Sequence, residues 1–188
     1  MNRTPCKGGC SLCLSTERIP IDPSSLKPHI LSAENVLDSF HCRNVGVNKF
    51  ILEEARPFQE EMLGTTYLFS CGGKVIAFAT LMMAEIKREL MSDEDRLEIG
   101  KDCYPALQIG QLAVDVRYEG NGVGTYVLDW CIGLAIRTSD RIACRFIVLD
   151  AEKDAVGFYE KYGFNMLKRQ DRRTHPTMYI DILPALKK

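Results

Sequence analysis

Leu112-Ala113-Val114-Asp115-Val116-Arg117-Tyr118-Glu119-Gly120-Asn121-Gly122-Val123-Gly124-Thr125 is the stretch that decides the fold of this chain. An apolar strand runs into a glycine-dense turn, and the turn opens into a helical pattern over Val123 to Arg137. Three glycines at alternate positions let the backbone fold tightly and present successive N–H groups. A helix N-terminus adds unpaired donors and the positive end of its dipole, so the element suits an anion such as a pyrophosphate. The dinucleotide fingerprint wants a third glycine after two spacer residues, where Thr125 stands. The loop of nucleotide triphosphatases wants a Gly-Lys-Ser/Thr that does not occur. A tight strand-to-helix turn without a ligand is the plain alternative.

Downstream, Arg145 to Asp150 reads as a short buried strand, and Lys153 to Tyr162 as a helix closed by Gly163. Phe164 restarts extended structure, and Thr177 to Ile182 alternates like a final strand. Upstream, Pro28 to Leu31 reads as a first strand, and Ser32 as a helix cap with Asn35 in the third position. Asn48 to Met62 is helix-like, with Pro57 breaking it or starting a second helix. Thr65 to Cys71 and Lys74 to Ile86 form a hairpin about Gly72-Gly73. Ser92 to Arg96 suggests a short capped helix or a loop.

This order of elements, with the glycine loop and the later Phe158-Tyr159-x-x-x-Gly163-Phe164, resembles the GNAT family of acetyl-CoA-dependent N-acetyltransferases over Tyr104 to Ile182. The resemblance implies an α/β (α+β) fold: one central mixed, mostly antiparallel sheet, splayed between its fourth and fifth strands and flanked by helices. It implies acetyl-CoA as cosubstrate, held by Leu112, Ala113 and Val114 of the splayed strand, whose backbone would pair with the pantetheine arm. The loop Glu119, Gly120, Asn121, Gly122, Val123, Gly124 and Thr125 would take the pyrophosphate, and Asp154 and Phe158 would close the other side. Family loops carry Gln or Arg where this chain has Glu119, which is expected to point away or to pair with Arg117. In the implied chemistry a primary amine attacks the thioester, and backbone N–H groups near Val114 stabilise the oxyanion. Tyr159 protonates the departing sulfur. A packed aromatic is the alternative role for Tyr159, and Tyr162 fits the family pattern less well. Asp115, Glu85 and a relaying water are the options for a base.

A finer resemblance lies in Phe40 to Ile51 with Glu54-Ala55, and in Tyr104-Pro105-Ala106-Leu107-Gln108-Ile109-Gly110-Gln111-Leu112-Ala113-Val114. Both are similar to the GNAT toxins of bacterial toxin–antitoxin modules, with Arg43, Val47 and Gln111 departing from that pattern. The branch implies the α-amine of aminoacyl-tRNA as acceptor and a small antitoxin protein as partner; a homodimer is a separate expectation. Arg169, Arg172 and Arg173, with Lys161, Lys168 and His175, would hold the acceptor, and Arg137, Arg141 and Arg145 form a second basic group; an ordinary solvated surface is the alternative. Two other functions stay open: acetylation of a small amine or peptide, and a degenerate fold that binds coenzyme A or a metal.

Composition is compatible with this. The 188 residues, 46% hydrophobic with a net charge of −1, suit one domain and provide no global field toward nucleic acid or membranes. No apolar run approaches membrane-spanning length and the first residues lack a signal-peptide core, so a cytoplasmic protein is expected. The division expected is an arm over 1–25 and an acetyltransferase domain over 26–188. The arm carries Cys6-x-x-x-Cys10-x-x-Cys13, three close thiols that could hold zinc or an iron–sulfur cluster, with Cys42, His29 or His41 as a fourth ligand, or form a reduced tail. The other cysteines suit buried, reduced thiols.

Overall fold

The computed structural model describes residues 18–170 and 173–186. Gly72 and Gly73 both take positive φ, +57° and +77°, which gives the tight turn joining β2 (Thr65–Cys71) to β3 (Lys74–Lys87). β1 (Lys27–Ile30) pairs antiparallel with β2, and β4 (Cys103–Val114) antiparallel with β3. The chain then crosses over through α3 (Val123–Ser139) to β5 (Phe146–Asp150), which lies parallel to β4. After α4 (Val156–Tyr162), strands β6 (Asn165–Met166) and β7 (Thr177–Asp181) complete a seven-stranded sheet of order β1-β2-β3-β4-β5-β7-β6. The sheet is mixed and mostly antiparallel, as the family resemblance implies.

Alternation along the hairpin puts helices on both faces. Phe69, Ala77 and Ala79 join Val127, Leu128 and Cys131 of α3 in the main core. Leu68 and Phe78 join Leu31, Phe40, Ile51 and Ala55 beneath α1 (Val45–Lys49) and α2 (Ala55–Glu60). A third cluster of Ile86, Tyr104, Phe146 and Tyr179 fills one end of the sheet.

The splay has a visible cause. Thr80 faces Gln111 and Leu81 faces Ile109, so Gly110 is an extra residue on β4. Pairing of β4 with β5 runs from Ala106–Phe146 to Ile109–Leu149 and ends there. A bulge bends its strand; from Gly110 onward β4 keeps its partner on the β3 side alone.

Where β4 ends, a buried carboxylate takes over. Asp115 has no solvent exposure. Its oxygens accept from the guanidinium of Arg117 at 2.8 and 2.6 Å, from the Arg117 backbone N–H at 2.9 Å and from the His41 N–H at 3.1 Å. Its own N–H donates to the Ile76 carbonyl, and the Val116 N–H donates to the His41 carbonyl. These bonds fasten the exit of β4 to the segment that precedes α1.

Two segments differ from the sequence expectations, and two open alternatives resolve. Ser32 to Asn35 is a turn: the Ser32 hydroxyl engages the Asn35 side chain at 3.0 Å, and Arg56 occupies the Asn35 carbonyl, so no helix propagates. Ser92 to Arg96 is a turn, the loop of the two expectations, because the Asp95 carboxylate gathers the Ser92 hydroxyl and, at 2.6 Å, the Tyr179 hydroxyl. α4 begins at Val156, three residues later than Lys153. Pro57 does start a second helix, as one of the two expectations held. The chain reaches it through a π-turn over Phe50–Glu54 that widens the spacing ahead of a residue with no N–H. The terminal helix α5 (Leu183–Leu186) carries no clear sequence signal.

Burial raises the Asp115 pKa, but the bonds from Arg117 and His41 outweigh it and hold the carboxyl below its ordinary value. Its contribution to stability is therefore full above the unfolded-chain pKa and is lost as pH falls through the lower folded value. Asp115→Asn is expected to cost about 3 kcal/mol at neutral pH in urea unfolding. Below pH 4 or so, the wild type should lose stability more steeply than the variant.

Candidate active site

The unpaired half of β4 and the glycine loop form a single cleft. Leu112, Ala113 and Val114 make one wall of a cavity of about 630 Å³. Gly120, Gly122, Val123, Gly124 and Thr125 make its floor, with Glu119 beside them. Asp154, Phe158 and Tyr159 line the side toward α4. Of the residues that the sequence assigned to the cosubstrate, only Asn121 does not line this space. Its side-chain amide donates instead to the carbonyls of Ile19 and Tyr118, both at 3.0 Å, and ties the loop to the segment before β1.

Gly120 and Gly122 have φ of +80° and +79°, a region where an L side chain is strained. Gly122 is also the N-cap of α3 and offers no side-chain oxygen. The first N–H groups of a seventeen-residue helix thus open toward the cavity without a side-chain cap.

Glu119 neither points away nor pairs with Arg117, which is engaged by Asp115. It accepts a two-pronged contact from Arg43, with Nε at 2.9 Å from both oxygens and a terminal nitrogen at 2.7 Å. Opposite charges on two loops that meet at the cleft explain the correction: Arg43, just before α1, lies nearer than Arg117, which turns inward. The Glu119 hydrogen bond and charge raise the pKa of Arg43.

The two tyrosines of α4 separate cleanly. Tyr159 is buried, packs edge-on against Phe158 and Phe164, and faces the cavity. Burial lifts its phenol to a pKa of about 12, so it is protonated at neutral pH. Tyr162 donates its hydroxyl to Asp129.

A smaller cavity, about 290 Å³, shares Leu112, Ala113, Val114, Glu119, Asp154 and Ala155 with the first. Its outer wall is Cys42, Arg43, Asn44, Val47 and Glu152. Asn44 donates to Glu152 at 2.6 Å, and His175 lies 3.3 Å from the other oxygen of Glu152. Sequence reading assigned none of Arg43, Asn44 or Glu152 to the site. The one available signal was that Arg43 and Glu119 both leave the family pattern, with opposite charge.

Neither carboxylate considered as a base reaches the cleft. Asp115 is locked by Arg117, and Glu85 pairs with Pro105 toward the far end of the β3–β4 ladder. Among the basic residues, Arg145 is held by Asp181 and Lys168 by Asp93, both in ion pairs under 3 Å. Arg169 and Arg173 are exposed, and Arg172 lies outside the described residues. Cys6, Cys10 and Cys13 lie outside them too. Cys42 donates to the Asn44 carbonyl, while His29 and His41 lie against Asn35 and Asn48. Among the described residues no cluster of His, Cys, Asp or Glu could hold a metal, and no helix is long and apolar enough to cross a membrane.

Comparison with known proteins agrees with this geometry. A tRNA-acetylating toxin of Mycobacterium tuberculosis is 28% identical over 140 residues, 74% of this chain and 84% of the toxin. A crystal structure of a KacT mutant superposes with a TM-score of 0.79 at 16% identity, over 87% of this chain and 98% of that one. AtaT complexed with acetyl-methionyl-tRNAfMet gives 0.77 at 19% identity, over 87% and 99%. An AtaT mutant toxin bound to the C-terminus of the antitoxin AtaR and acetyl-CoA gives 0.71 at 18%, over 87% and 99%. The family model of the acetyltransferase (GNAT) domain matches residues 63–166, more than half of the sequence and the whole span from β2 through the glycine loop to β6, and the chain belongs to that family.

Proposed function

We propose that this protein transfers the acetyl group of acetyl-CoA to the α-amine of aminoacyl-tRNA. The observation that carries the transfer is the cleft itself: an unpaired strand edge, an uncapped helix N-terminus and a protonated tyrosine around one space. The acceptor is supported by the relationship to the Mycobacterium tuberculosis tRNA-acetylating toxin, which extends over most of both chains. An antitoxin partner belongs to the same reading.

The cleft fits the cosubstrate. Positive φ at Gly120 and Gly122 leaves a cradle that a Cβ would strain, and the open donors of α3 suit a diphosphate. The backbone of Gly110 to Val114 offers a strand edge to an amide-bearing arm. When bound, acetyl-CoA supplies an activated thioester to the split between β4 and β5. Backbone N–H groups near Val114 are donors for developing negative charge on the carbonyl oxygen. Tyr159 holds a phenolic proton at the α4 side and gives it to the departing sulfur. The smaller cavity admits the amine from the opposite side, between Asn44, Glu152 and the β4 edge. Arg43 cancels the charge that Glu119 would otherwise set against the phosphates.

Tyr159→Phe should lower turnover about a hundredfold with little change in acetyl-CoA affinity. Tyr162→Phe, which removes only the bond to Asp129, should leave turnover within a few-fold of wild type. Equal effects of the two would remove Tyr159 from the acid role.

Arg43→Ala should raise the acetyl-CoA KM about tenfold, because it exposes a carboxylate beside the phosphate cradle. Adding Glu119→Gln to that variant should restore most of the loss, a coupling that a steady-state double-mutant cycle measures.

The acceptor is tested with radiolabelled acetyl-CoA and two pools, charged total tRNA and a mixture of amines and peptides. Label in charged tRNA that mild base releases is the expected result. Label in the second pool alone would reassign the acceptor, and none in either would leave only a binding module.

A further inference from the structure

Residues 18–26 run beside the glycine loop. The Ile19 N–H donates to the Arg117 carbonyl at 2.7 Å, and Asn121 returns a bond to the Ile19 carbonyl. Ile21 packs against the main core, Asp22 caps the turn Pro23–Ser25 through the Ser24 N–H, and Leu26 is buried. Pro23 approaches Gly122, its Cγ standing 3.9 Å from where a Cβ would be. This strap delivers Arg18 to Gly120, with a guanidinium nitrogen 2.9 Å from the position of a Cβ on that glycine. Gly120 lines the large cavity and its φ is +80°.

The electrostatics of the loop give this placement its meaning. Arg117 is neutralised by Asp115 and points away from the cleft. Glu119 stands where the family pattern carries Gln or Arg, and Arg43 does no more than cancel it. A dianionic diphosphate would therefore meet backbone donors and a helix dipole, with no net positive side chain from the loop itself. Arg18 is the cation that the fold brings beside Gly120, from a segment about a hundred residues earlier in the chain.

We infer that Arg18 is a phosphate-binding residue for the nucleotide portion of the cosubstrate, supplied to the glycine loop by the strap before β1. The inference rests on the acetyl-CoA reading of the cleft. A guanidinium presents two parallel N–H donors to phosphate oxygens, a geometry that a lysine matches only in charge. Coenzyme A carries two phosphate groups that this chemistry would serve, the diphosphate and the ribose 3′-phosphate.

The test is calorimetric titration of the full chain and its Arg18→Ala and Arg18→Lys variants with coenzyme A and with 3′-dephospho-coenzyme A, alongside steady-state kinetics. Arg18→Ala should weaken coenzyme A binding about tenfold, with Arg18→Lys between it and wild type. The acetyl-CoA KM should rise with it while kcat and the thermal midpoint stay unchanged. A loss seen with both ligands assigns Arg18 to the diphosphate, and a loss seen with coenzyme A alone assigns it to the 3′-phosphate. Equal dissociation constants for wild type and Arg18→Ala, or tighter binding by the variant, would overturn the inference. Failure of the unsubstituted chain to bind coenzyme A is a distinct result, which would overturn the cosubstrate reading beneath it.

Discussion

One extra residue in β4 sets the geometry on which the site depends. From Ala106 to Ile109 the strand is paired on both edges; at Gly110 the register with β3 slips and the ladder to β5 ends. Neither event would suffice alone. A bulge inside a fully paired strand would only increase local twist. A strand that lost its partner without bending would leave no gap for an arm to enter. Together they leave Gly110 to Val114 as a strand edge inside the sheet rather than at its margin, where an extended molecule can pair without exposing the rest of the ladder.

Topology then places the glycine loop at the mouth of that gap. Parallel strands need a long crossover, and α3 provides it between β4 and β5. The helix must begin near the end of β4, so its N-terminus points back at the split. Two arginine–carboxylate pairs hold the connection, and they differ in kind. Asp115–Arg117 is a buried carboxylate with four protein donors, and losing its partner would strand a charge without water. Arg43–Glu119 has an arginine side chain 74% exposed, so it adds little to stability. Its effect lies in the charge it removes from the glycine loop.

The order and type of the later elements were legible because each carries a local signal. The paired glycines mark the β2–β3 turn, Gly163 with φ of +103° closes α4, and β5 opens with an apolar run, Phe146 to Leu149, all four buried. The segments misread, or left with two readings, are those where side chains override the local pattern. Asn35 and Asp95 draw hydroxyls that would otherwise cap a helix, and their partners Arg56 and Tyr179 lie 21 and 84 residues away. Nothing in the spacing of Ser32 or Ser92 reports such distant donors. The β4 bulge is equally silent, since it is defined by the register of a neighbouring strand.

The same limit applied to the site, with a different consequence. The loop, the strand wall and Tyr159 were read from contiguous motifs, and they share one cavity. Arg43 and Glu119 are 76 residues apart, and each taken singly looks like damage to a family pattern: a bulky cation where glycine is usual, an anion where Gln or Arg is usual. Their contact reverses both readings, because the cation neutralises the anion and joins the loop before α1 to the glycine loop. A departure at one position is evidence of lost function only while its neighbours in space are unknown. Two departures of opposite sign are better read as one substitution, and the test of such a pair is whether the double variant behaves more like the parent than either single one.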